Sequence, residues 1–305
     1  MMRTPRSLII AALALAVLAG AASRASAASS YDSCVGFIDV VPTVISTPGR
    51  WCLRQHLVSN LLTNNAIEVR TNNVTIDCNG FVLDNVAAGR STYSAGVSAR
   101  GVSNIRVRNC SIQGFFYGTF ISSEESAGVR GPLGSGHVVE NSRFSQNRYA
   151  GIHADGFGSV IRGNIVTNTG GAPTWGGGVG IVAWAPVDVI DNIVDGVFGD
   201  SESPDWGNVG ILAGAFLLNV ISAGFEVRGN RVRNLAQKGN FHSDGLTVTG
   251  YGAKVLDNLI AQHDPTSGYG LLCIGEIDIR NNVIKNYSQP LYDHFCNDRG
   301  GNIAY

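Results

Sequence analysis

Short apolar stretches separated by polar, glycine-rich turns run through most of the chain, and a glycine followed by an apolar or small residue recurs among them. After most of these glycines the first and third residues are apolar or small, whereas the second and fourth vary. This alternation has the period of two that a β-strand with one buried face shows. It predicts strands and does not fit helices. The recurring glycines are Gly96, Gly118, Gly151, Gly180, Gly210, Gly245 and Gly270.

A second mark is an asparagine that ends one apolar stretch and is followed by another. It occurs at Asn79, Asn109, Asn141, Asn164, Asn192, Asn230, Asn258 and Asn282. In five units the distance from the glycine to the next such asparagine is 12 or 13 residues. The distance is 23 residues after Gly118 and 20 residues after Gly210. We therefore expect insertions near residues 122–136 and 213–224 in an otherwise constant unit.

A short unit repeated at nearly constant length predicts a solenoid, in which each coil buries its apolar face only against its neighbours. Stacked coils place equivalent residues about 4.8 Å apart. The first and third residues after each glycine then form apolar ladders in the core. The asparagines are predicted to lie at tight bends, where an amide side chain tolerates left-handed geometry. We predict an all-β solenoid of about eight coils; a propeller or sandwich fits the constant unit poorly.

Two phrases near the start of the repeat add a resemblance to a known family. Ile45 to Leu53 reads ISTPGRWCL, and Val74 to Gly80 reads VTIDCNG. Together with the repeat, they resemble the right-handed parallel β-helix of the pectate-lyase-like superfamily. The resemblance implies an N-terminal cap and first strands over residues 28–72 and the β-helix over residues 73–305. It implies an action on polysaccharides as lyase, hydrolase or epimerase, although adhesins and inert spacers share this fold.

Residues 1–27 have the order of features of a secretory signal peptide. Arg3 and Arg6 precede an apolar stretch from Ser7 to Ala22, and small residues at Ala25 and Ala27 form a cleavage site. The alternative is a membrane anchor, but the stretch is shorter than the roughly 20 residues that span a bilayer. We expect a secreted or periplasmic protein without a membrane span.

Charge and cysteine content narrow the expected partners and compartment. The formal net charge is −1, and removal of the three arginines in residues 1–27 makes it −4, which argues against a nucleic-acid partner. The even number of cysteines, six, favours disulfides in an exported chain. The pairing that we favour joins sequence neighbours, which lie in the same or adjacent coils: Cys34–Cys52, Cys78–Cys110 and Cys273–Cys296. There is no CxxC or CxxH spacing that predicts a metal site, and no cofactor motif.

Two pairs of residues are candidate catalytic groups. His242 and Asp244 precede a repeat strand, and a histidine two residues from an aspartate offers a base and an acid. His153 and Asp155 take the second and fourth positions after Gly151, which places both on the outward face of one strand. The alternative is structural: Asp244 caps the bend before its glycine, and His242 is merely exposed.

Aromatic residues are candidate substrate-binding groups, since a flat ring offers a large amphipathic surface to a sugar. Trp175, Trp184 and Trp206 fall in neighbouring coils. Asp205 and Tyr269 complete the predicted substrate-binding set. The alternative is that these rings pack under loops.

The chain departs from the enzyme families of this fold. It lacks the N-T-D, D-D and G-H-G signatures of polygalacturonase-like hydrolases, and only a scrambled His263-Asp264-Pro265 resembles the D-P-H-D motif of alginate epimerases. The sequence therefore predicts an exported β-helix that binds or modifies an extracellular polysaccharide. The alternative is a non-catalytic solenoid for surface attachment or protein interaction. Substrate and oligomeric state stay open.

Overall fold

The computed structural model describes residues 31–123, 134–173, 176–199, 207–214, 224–236, 242–292 and 295–305. Cys34–Tyr305 forms one compact unit. The predicted signal peptide and most of the two predicted insertions lie outside the described residues. The described part of the chain contains no helix that is long and apolar enough to cross a membrane.

The described residues form mostly short β-strands and a single 3-10 turn at Val86–Ala88. The strands are β1 (Gly36–Ile38), β2 (Thr43–Ile45), β3 (Gly49–Leu53), β4 (Leu57–Val58), β5 (Ile67–Val69), β6 (Val74–Asp77), β7 (Val82–Asp84), β8 (Ala95–Arg100), β9 (Ile105–Arg108), β10 (Ser111–Gln113), β11 (Tyr117–Ser122), β12 (Val138–Glu140), β13 (Arg143–Ser145), β14 (Ala150–Asp155), β15 (Ser159–Arg162), β16 (Ile165–Gly170), β17 (Val179–Trp184), β18 (Val187–Ile190), β19 (Ile193–Phe198), β20 (Asn208–Gly214), β21 (Glu226–Arg228), β22 (Arg231–Ala236), β23 (Ser243–Thr249), β24 (Ala253–Leu256), β25 (Leu259–Ile274), β26 (Ile277–Arg280), β27 (Val283–Tyr292), β28 (Cys296–Asp298) and β29 (Ile303–Ala304).

The strands stack into two parallel sheets that wind around one core. The first sheet has the order β1-β3-β6-β9-β12-β15-β18-β21-β24-β26-β28. The second sheet contains two parallel runs, β2-β5-β8-β11-β14-β17-β20-β23 and β4-β7-β10-β13-β16-β19-β22, which join in the long strands β25 and β27. This is the predicted right-handed parallel β-helix. In the described residues the first sheet has eleven strands, more than the eight or so expected coils, because terminal coils lack the glycine mark.

Apolar ladders fill the core, as the alternation predicts. The residues one and three positions after the glycines are fully buried in successive coils, from Ile152 and Ala154 to Leu246 and Val248. Each stacks on its equivalent in the next strand, so Ile152 lies beside Ile181. The prediction of continuous core ladders is confirmed.

The recurring glycines are needed because the two strand runs of the second sheet approach each other closely. A Cβ atom on Gly151 would lie 2.4 Å from Cγ1 of Val166, and one on Gly180 would lie 2.4 Å from Cγ1 of Val194. Any larger residue would collide with the core ladder of the facing strand run. Glycine therefore marks each coil because only hydrogen fits there.

A ladder of asparagine amides joins the coils, and it is formed by asparagines of the predicted series and by Asn302. Each Nδ2 donates to Oδ1 of the next asparagine at 2.9–3.1 Å. The same Oδ1 accepts from the backbone N–H of the preceding ladder residue. The ladder consists of Asn164, Asn192, Asn230, Asn258, Asn282 and Asn302.

The prediction that these asparagines themselves adopt left-handed geometry is wrong. The residue before each one has positive φ, as at Gly163 (63°) and Asp191 (54°). The prediction holds at Asn79, Asn109 and Asn141, which do have positive φ. In the coils of Asn109 and Asn141, Cys110 and Ser142 take the ladder position. The bend needs a left-handed residue, and the ladder needs an extended one beside it, so one residue cannot serve both.

Buried carboxylates clamp neighbouring strands of the first sheet. Asp77 is fully buried and lies 2.5 Å from Nη2 of Arg50 and 2.8 Å from Nε of Arg108, one on each adjacent strand. Burial alone raises the pKa of Asp77, but amide hydrogen bonds and the two guanidinium groups outweigh it and lower the pKa. Glu140 joins β9, β12 and β15 in the same way.

All six cysteines form disulfides with the favoured pairing. Cys34–Cys52 and Cys78–Cys110 join coils at the N-terminal end, and Cys273–Cys296 joins coils at the C-terminal end. Their presence is compatible with an exported protein.

Candidate functional site

A continuous set of rings covers the outer face of β11, β14 and β17 and the turns that lead into β8, β11 and β14. We call this set the aromatic row. Each ring contacts at least one other ring of the set. Its members are Tyr93, Phe116, Tyr117, Phe120, Tyr149, His153 and Trp184.

Three rings of the aromatic row form a stack with one ring from each of three coils. The centroids of Tyr93 and Phe116 are 5.2 Å apart, and those of Phe116 and Tyr149 are 5.3 Å apart with planes inclined by 13°. Parallel strand stacking imposes this arrangement, because residues that enter equivalent strands repeat at the strand spacing. Phe116 is buried between its neighbours, whereas Tyr93 is 47% exposed.

The remaining rings extend the row along the strands. Tyr117 lies 4.8 Å from Phe120, Phe120 lies 4.6 Å from His153, and His153 lies 5.5 Å from Trp184, all between ring centroids. Trp184 is 42% exposed. The row therefore has an accessible ring at each end and spans four coils.

His153 is directed outward, as predicted, but the neighbouring rings bury it. Only 7% of the residue is exposed. Burial, with a smaller contribution from the charge of Arg100, lowers the pKa of His153 to about 4. The Arg100 guanidinium lies over the ring of Phe120 at 4.2 Å from its centroid. His153 is consequently a neutral imidazole at pH 7, able to donate one hydrogen bond and accept another.

Asp155 lies on the same strand two residues from His153 and is also only 7% exposed. Its carboxylate accepts hydrogen bonds from Oγ of Ser122, at 3.4 Å, and from the backbone N–H of Ser123. Asp155 pairs in register with Trp184 of the next strand. The structure thus brings His153, Asp155 and Trp184 of the predicted set together.

His242, Asp244 and Tyr269 form a second cluster on the same face. Nε2 of His242 lies 3.7 Å from Oδ2 of Asp244, and the rings of His242 and Tyr269 are 5.9 Å apart. The backbone N–H of Tyr269 donates to Oδ1 of Asp244 at 2.9 Å. Burial raises the pKa of Asp244, although this N–H and His242 partly oppose the shift.

The cluster of His242, Asp244 and Tyr269 is separate from the group of His153, Asp155 and Trp184. Ala150, at the start of β14, is followed down the stack by Val179, Val209 and then Asp244. Three strand spacings separate the two ends of this column, about 14 Å. The predicted histidine–aspartate pairs therefore cannot act on one bond together, but a single extended ligand on this face can contact both.

Comparison with known sequences identifies the family. The profile described as right-handed β-helix region matches residues 49–204, which is just over half of the chain. The chain belongs to this family. No curated protein sequence matches the β-helix significantly.

Several solved structures are similar to this one. The A-module of a mannuronan C-5 epimerase from Azotobacter vinelandii has a TM-score of 0.45 and 11% identity, covering 84% of this chain and 85% of that one. A periplasmic alginate epimerase has a TM-score of 0.47 and 13% identity, covering 77% and 60%. An alginate lyase from Paenibacillus has a TM-score of 0.43 and 10% identity, covering 85% and 93%.

Other predicted site residues are not part of these two clusters. Trp175, Asp205 and Trp206 lie outside the described residues. His263 and Asp264 contact each other at 3.1 Å, but both side chains are 87% exposed. Among the described residues of this β-helix, no three His, Cys, Asp or Glu side chains group closely enough to hold a metal ion.

Sequence reasoning did not single out three rings of the aromatic row, Tyr93, Phe116 and Phe120. It also did not single out Arg100, which lies over Phe120. A usable signal was present for Phe120, which takes the same position after Gly118 as His153 takes after Gly151. Phe116 and Tyr149 likewise both lie two residues before their glycines. Aligning outward positions across coils finds these stacked rings, whereas a search for tryptophan alone does not.

Proposed function

We propose that this β-helix protein binds an extracellular polysaccharide across the aromatic row. The observation that supports this function is the row itself, with seven rings in mutual contact and accessible rings at Tyr93 and Trp184. Rings that present a flat apolar face and a polar edge suit a ligand with both kinds of surface. Four coils span about 14 Å between the outer strands, which favours an extended chain over a single sugar.

Polar groups within the row provide the orientation that stacking alone lacks. His153 contributes a neutral imidazole among the rings, Arg100 a guanidinium over Phe120, and Asp155 a carboxylate on the same strand as His153. A few fixed polar groups in a mostly apolar surface are typical of small-ligand sites. In this proposal they hydrogen-bond to sugar hydroxyl groups while the rings supply contact area.

Catalysis by His242 and Asp244 is a second candidate function, in which the bound polysaccharide is also modified. The close pair and the raised pKa of Asp244 favour it, since a carboxyl group that holds its proton more readily can serve as a general acid. An exposed His242 beside it is the corresponding base. A chain bound along the aromatic row can continue to this pair on the same face.

Binding to immobilised polysaccharides tests the proposed function. A panel of uronate polymers and neutral glucans is titrated with wild-type protein, Trp184→Ala and Tyr93→Ala. Each substitution removes an accessible stacking ring, and we expect at least a tenfold loss of affinity for the bound polymer. Tyr251→Ala removes a tyrosine that is 63% exposed in a different turn and serves as the matched control. Equal affinities of all four proteins would exclude the aromatic row as the binding surface.

The catalytic candidate is tested by separating binding from turnover. Product release from the bound polymer is measured for wild type, His242→Ala and Asp244→Asn. We expect both variants to bind as wild type does and to lose turnover. Binding without turnover in the wild type would instead favour the non-catalytic attachment module.

A further inference from the structure

Arg100 carries a positive charge onto the aromatic row. It ends β8, and its guanidinium carbon lies 4.2 Å from the ring centroid of Phe120 on the adjacent strand, β11. Within the described residues, the guanidinium forms no hydrogen bond and no ion pair, so the ring is what holds it in place. A contact with a ring needs no acceptor, and the N–H donors of Arg100 are therefore available to a ligand.

The equivalent position one coil earlier shows how such a charge is neutralised. Arg70 takes that position, because Val69 before it pairs in register with Ala99 before Arg100. Nε of Arg70 lies 2.7 Å from Oε1 of Glu68. In the part of the chain that the structure describes, no carboxylate oxygen comes within 4 Å of the side-chain nitrogens of Arg100. A guanidinium that is held in place without a counter-charge favours an anionic ligand.

Two further polar side chains lie against the ring of Phe120. The ring centroids of Tyr117 and His153 are 4.8 Å and 4.6 Å from that of Phe120, and 5.6 Å from each other. Within the described residues, neither the hydroxyl group of Tyr117 nor the ring nitrogens of His153 form a hydrogen bond, and none of these atoms is completely enclosed. Polar groups packed among rings are normally bonded within the protein, so these two indicate a ligand that supplies the partners.

Folding keeps both groups as neutral donors at pH 7. Burial, and to a lesser extent Tyr149, raises the pKa of Tyr117, and the charge of Arg100 only partly opposes the shift, so the hydroxyl group keeps its proton. His153 is a neutral imidazole and carries one N–H. A charged donor and two neutral donors therefore surround Phe120.

We propose that Arg100 makes the aromatic row selective for a polysaccharide with acidic sugar units. Its guanidinium takes a carboxylate or sulfate group through paired N–H donors, while Tyr117 and His153 donate to oxygen atoms of the same sugar unit. The formal net charge of the chain is −1, so the attraction of an anion depends on a local cation. This inference rests on the proposed function, because it names the class of polysaccharide that the aromatic row binds.

Titration of the full chain with matched pairs of polymers tests this selectivity. One pair is a uronate polymer and the same polymer with its carboxylates reduced to hydroxymethyl groups; the other is a sulfated glucan and its unsulfated parent. We expect wild type to bind the acidic member of one pair at least about tenfold more tightly, and that pair identifies the acidic group. Arg100→Gln should lose about tenfold or more in affinity for this acidic polymer and keep its affinity for the neutral partner.

Three further variants separate the guanidinium from net charge and from the neutral donors. Arg100→Lys keeps the charge but not the paired donors and should lose less than Arg100→Gln. Tyr117→Phe keeps the ring and removes the hydroxyl group, so it should weaken binding of the acidic and the neutral polymer alike, by about threefold or more. Arg143→Gln removes an exposed charge from β13 in the other strand run and should stay within about twofold of wild type.

The outcomes separate this inference from the proposed function. Thermal melts establish that each variant is folded, and Arg100 is exposed, so its replacement leaves the core intact. An unchanged acidic preference in Arg100→Gln, an equal loss in Arg143→Gln, or equal wild-type affinities within both pairs overturns the inference while polysaccharide binding stands. A wild type that binds none of the four polymers overturns the proposed function, and this inference with it.

Discussion

At the scale of single residues, His153 is an imidazole that folding keeps uncharged. Its ring lies between those of Phe120 and Trp184, and burial with the charge of Arg100 lowers its pKa to about 4. In the unfolded chain a histidine has a pKa of about 6.5. Between these values the unfolded chain binds more protons than the folded protein, so falling pH destabilises the fold. Above pH 6.5 the imidazole is mostly uncharged in both states, so His153 no longer makes the stability of the fold depend on pH.

We expect His153→Gln to reduce this sensitivity to acid. The displaced pKa of His153 corresponds to about 2 kcal/mol of stability lost between pH 7.5 and pH 5. Urea unfolding at pH 7.5 and pH 5 measures the free energy of unfolding. Between these pH values it should fall by about 2 kcal/mol less in the variant than in wild type. His263→Gln, whose side chain is 87% exposed in the wild type, should lose as much as wild type. A wild-type pH dependence in His153→Gln would contradict the assignment.

Asn230 shows how completely one amide is used in the ladder. Nδ2 donates to the carbonyl oxygen of Val189 and to Oδ1 of Asn258, and Oδ1 accepts from the backbone and side-chain nitrogens of Asn192. The residue is fully buried. Because the residue is fully buried, each bond that is lost with the side chain leaves an unsatisfied buried group.

We expect Asn230→Leu to lower the free energy of unfolding by about 3 kcal/mol or more, since several buried polar groups lose their partners. Chemical denaturation measures the loss. Asn297→Leu replaces an exposed asparagine of β28 and should change stability by about 0.5 kcal/mol at most. If Asn230→Leu lowered the free energy of unfolding no more than Asn297→Leu does, the ladder would contribute little to stability.

At the scale of elements, the glycine column sets the distance between two strand runs of the second sheet. In β14, Gly151 faces Val166 of β16, and a Cβ atom would also lie 3.0 Å from the carbonyl oxygen of Gly180 in β17. The collision is with a core side chain and with backbone, neither of which moves freely. The width of each coil therefore depends on this glycine.

We expect Gly151→Ala to destabilise the protein by about 2 kcal/mol. Val166→Ala removes the colliding methyl group and destabilises by a similar amount through its cavity. Because Val166→Ala makes room for the new methyl group of Gly151→Ala, the stability loss of the double variant should be clearly smaller than the sum of the two single losses. Additive losses in urea unfolding would contradict a direct contact.

At the scale of the whole molecule, a solenoid has two ends where a coil has only one neighbour. Each coil is stabilised by the coils beside it, so terminal coils open first. The three disulfides lie at these ends: two within the first coils and one that ties β25 to β28. They secure the coils that stacking supports least.

We expect reduction of the disulfides to raise backbone hydrogen exchange at the ends. Exchange should rise in β1, β3 and β28 and change little in β14 and β17 of the middle coils. Mass spectrometry of peptides from reduced and oxidised protein gives the comparison. A uniform rise along the chain would show instead that the β-helix unfolds as one unit.

Much of this fold was predictable from the chain because a solenoid is local. The period-two alternation after Gly151 or Gly180 identifies the strands, and the constant distance to the next asparagine identifies the coil. The disulfide pairing follows too, since neighbours in sequence lie in neighbouring coils. Terminal coils were undercounted because they bury apolar residues without carrying the glycine mark.

The candidate site was only partly predictable, because it depends on which outward side chains face each other across coils. His153 and Asp155 could be placed on one face, yet the rings that bury them come from strands more than thirty residues away in sequence. The repeat spacing also did not place the left-handed bend, which lies one residue before each ladder asparagine. Repeat spacing by itself determined the β-helix. Tertiary stacking alone decided burial, pKa and the neighbours of each outward residue, because those depend on contacts between coils.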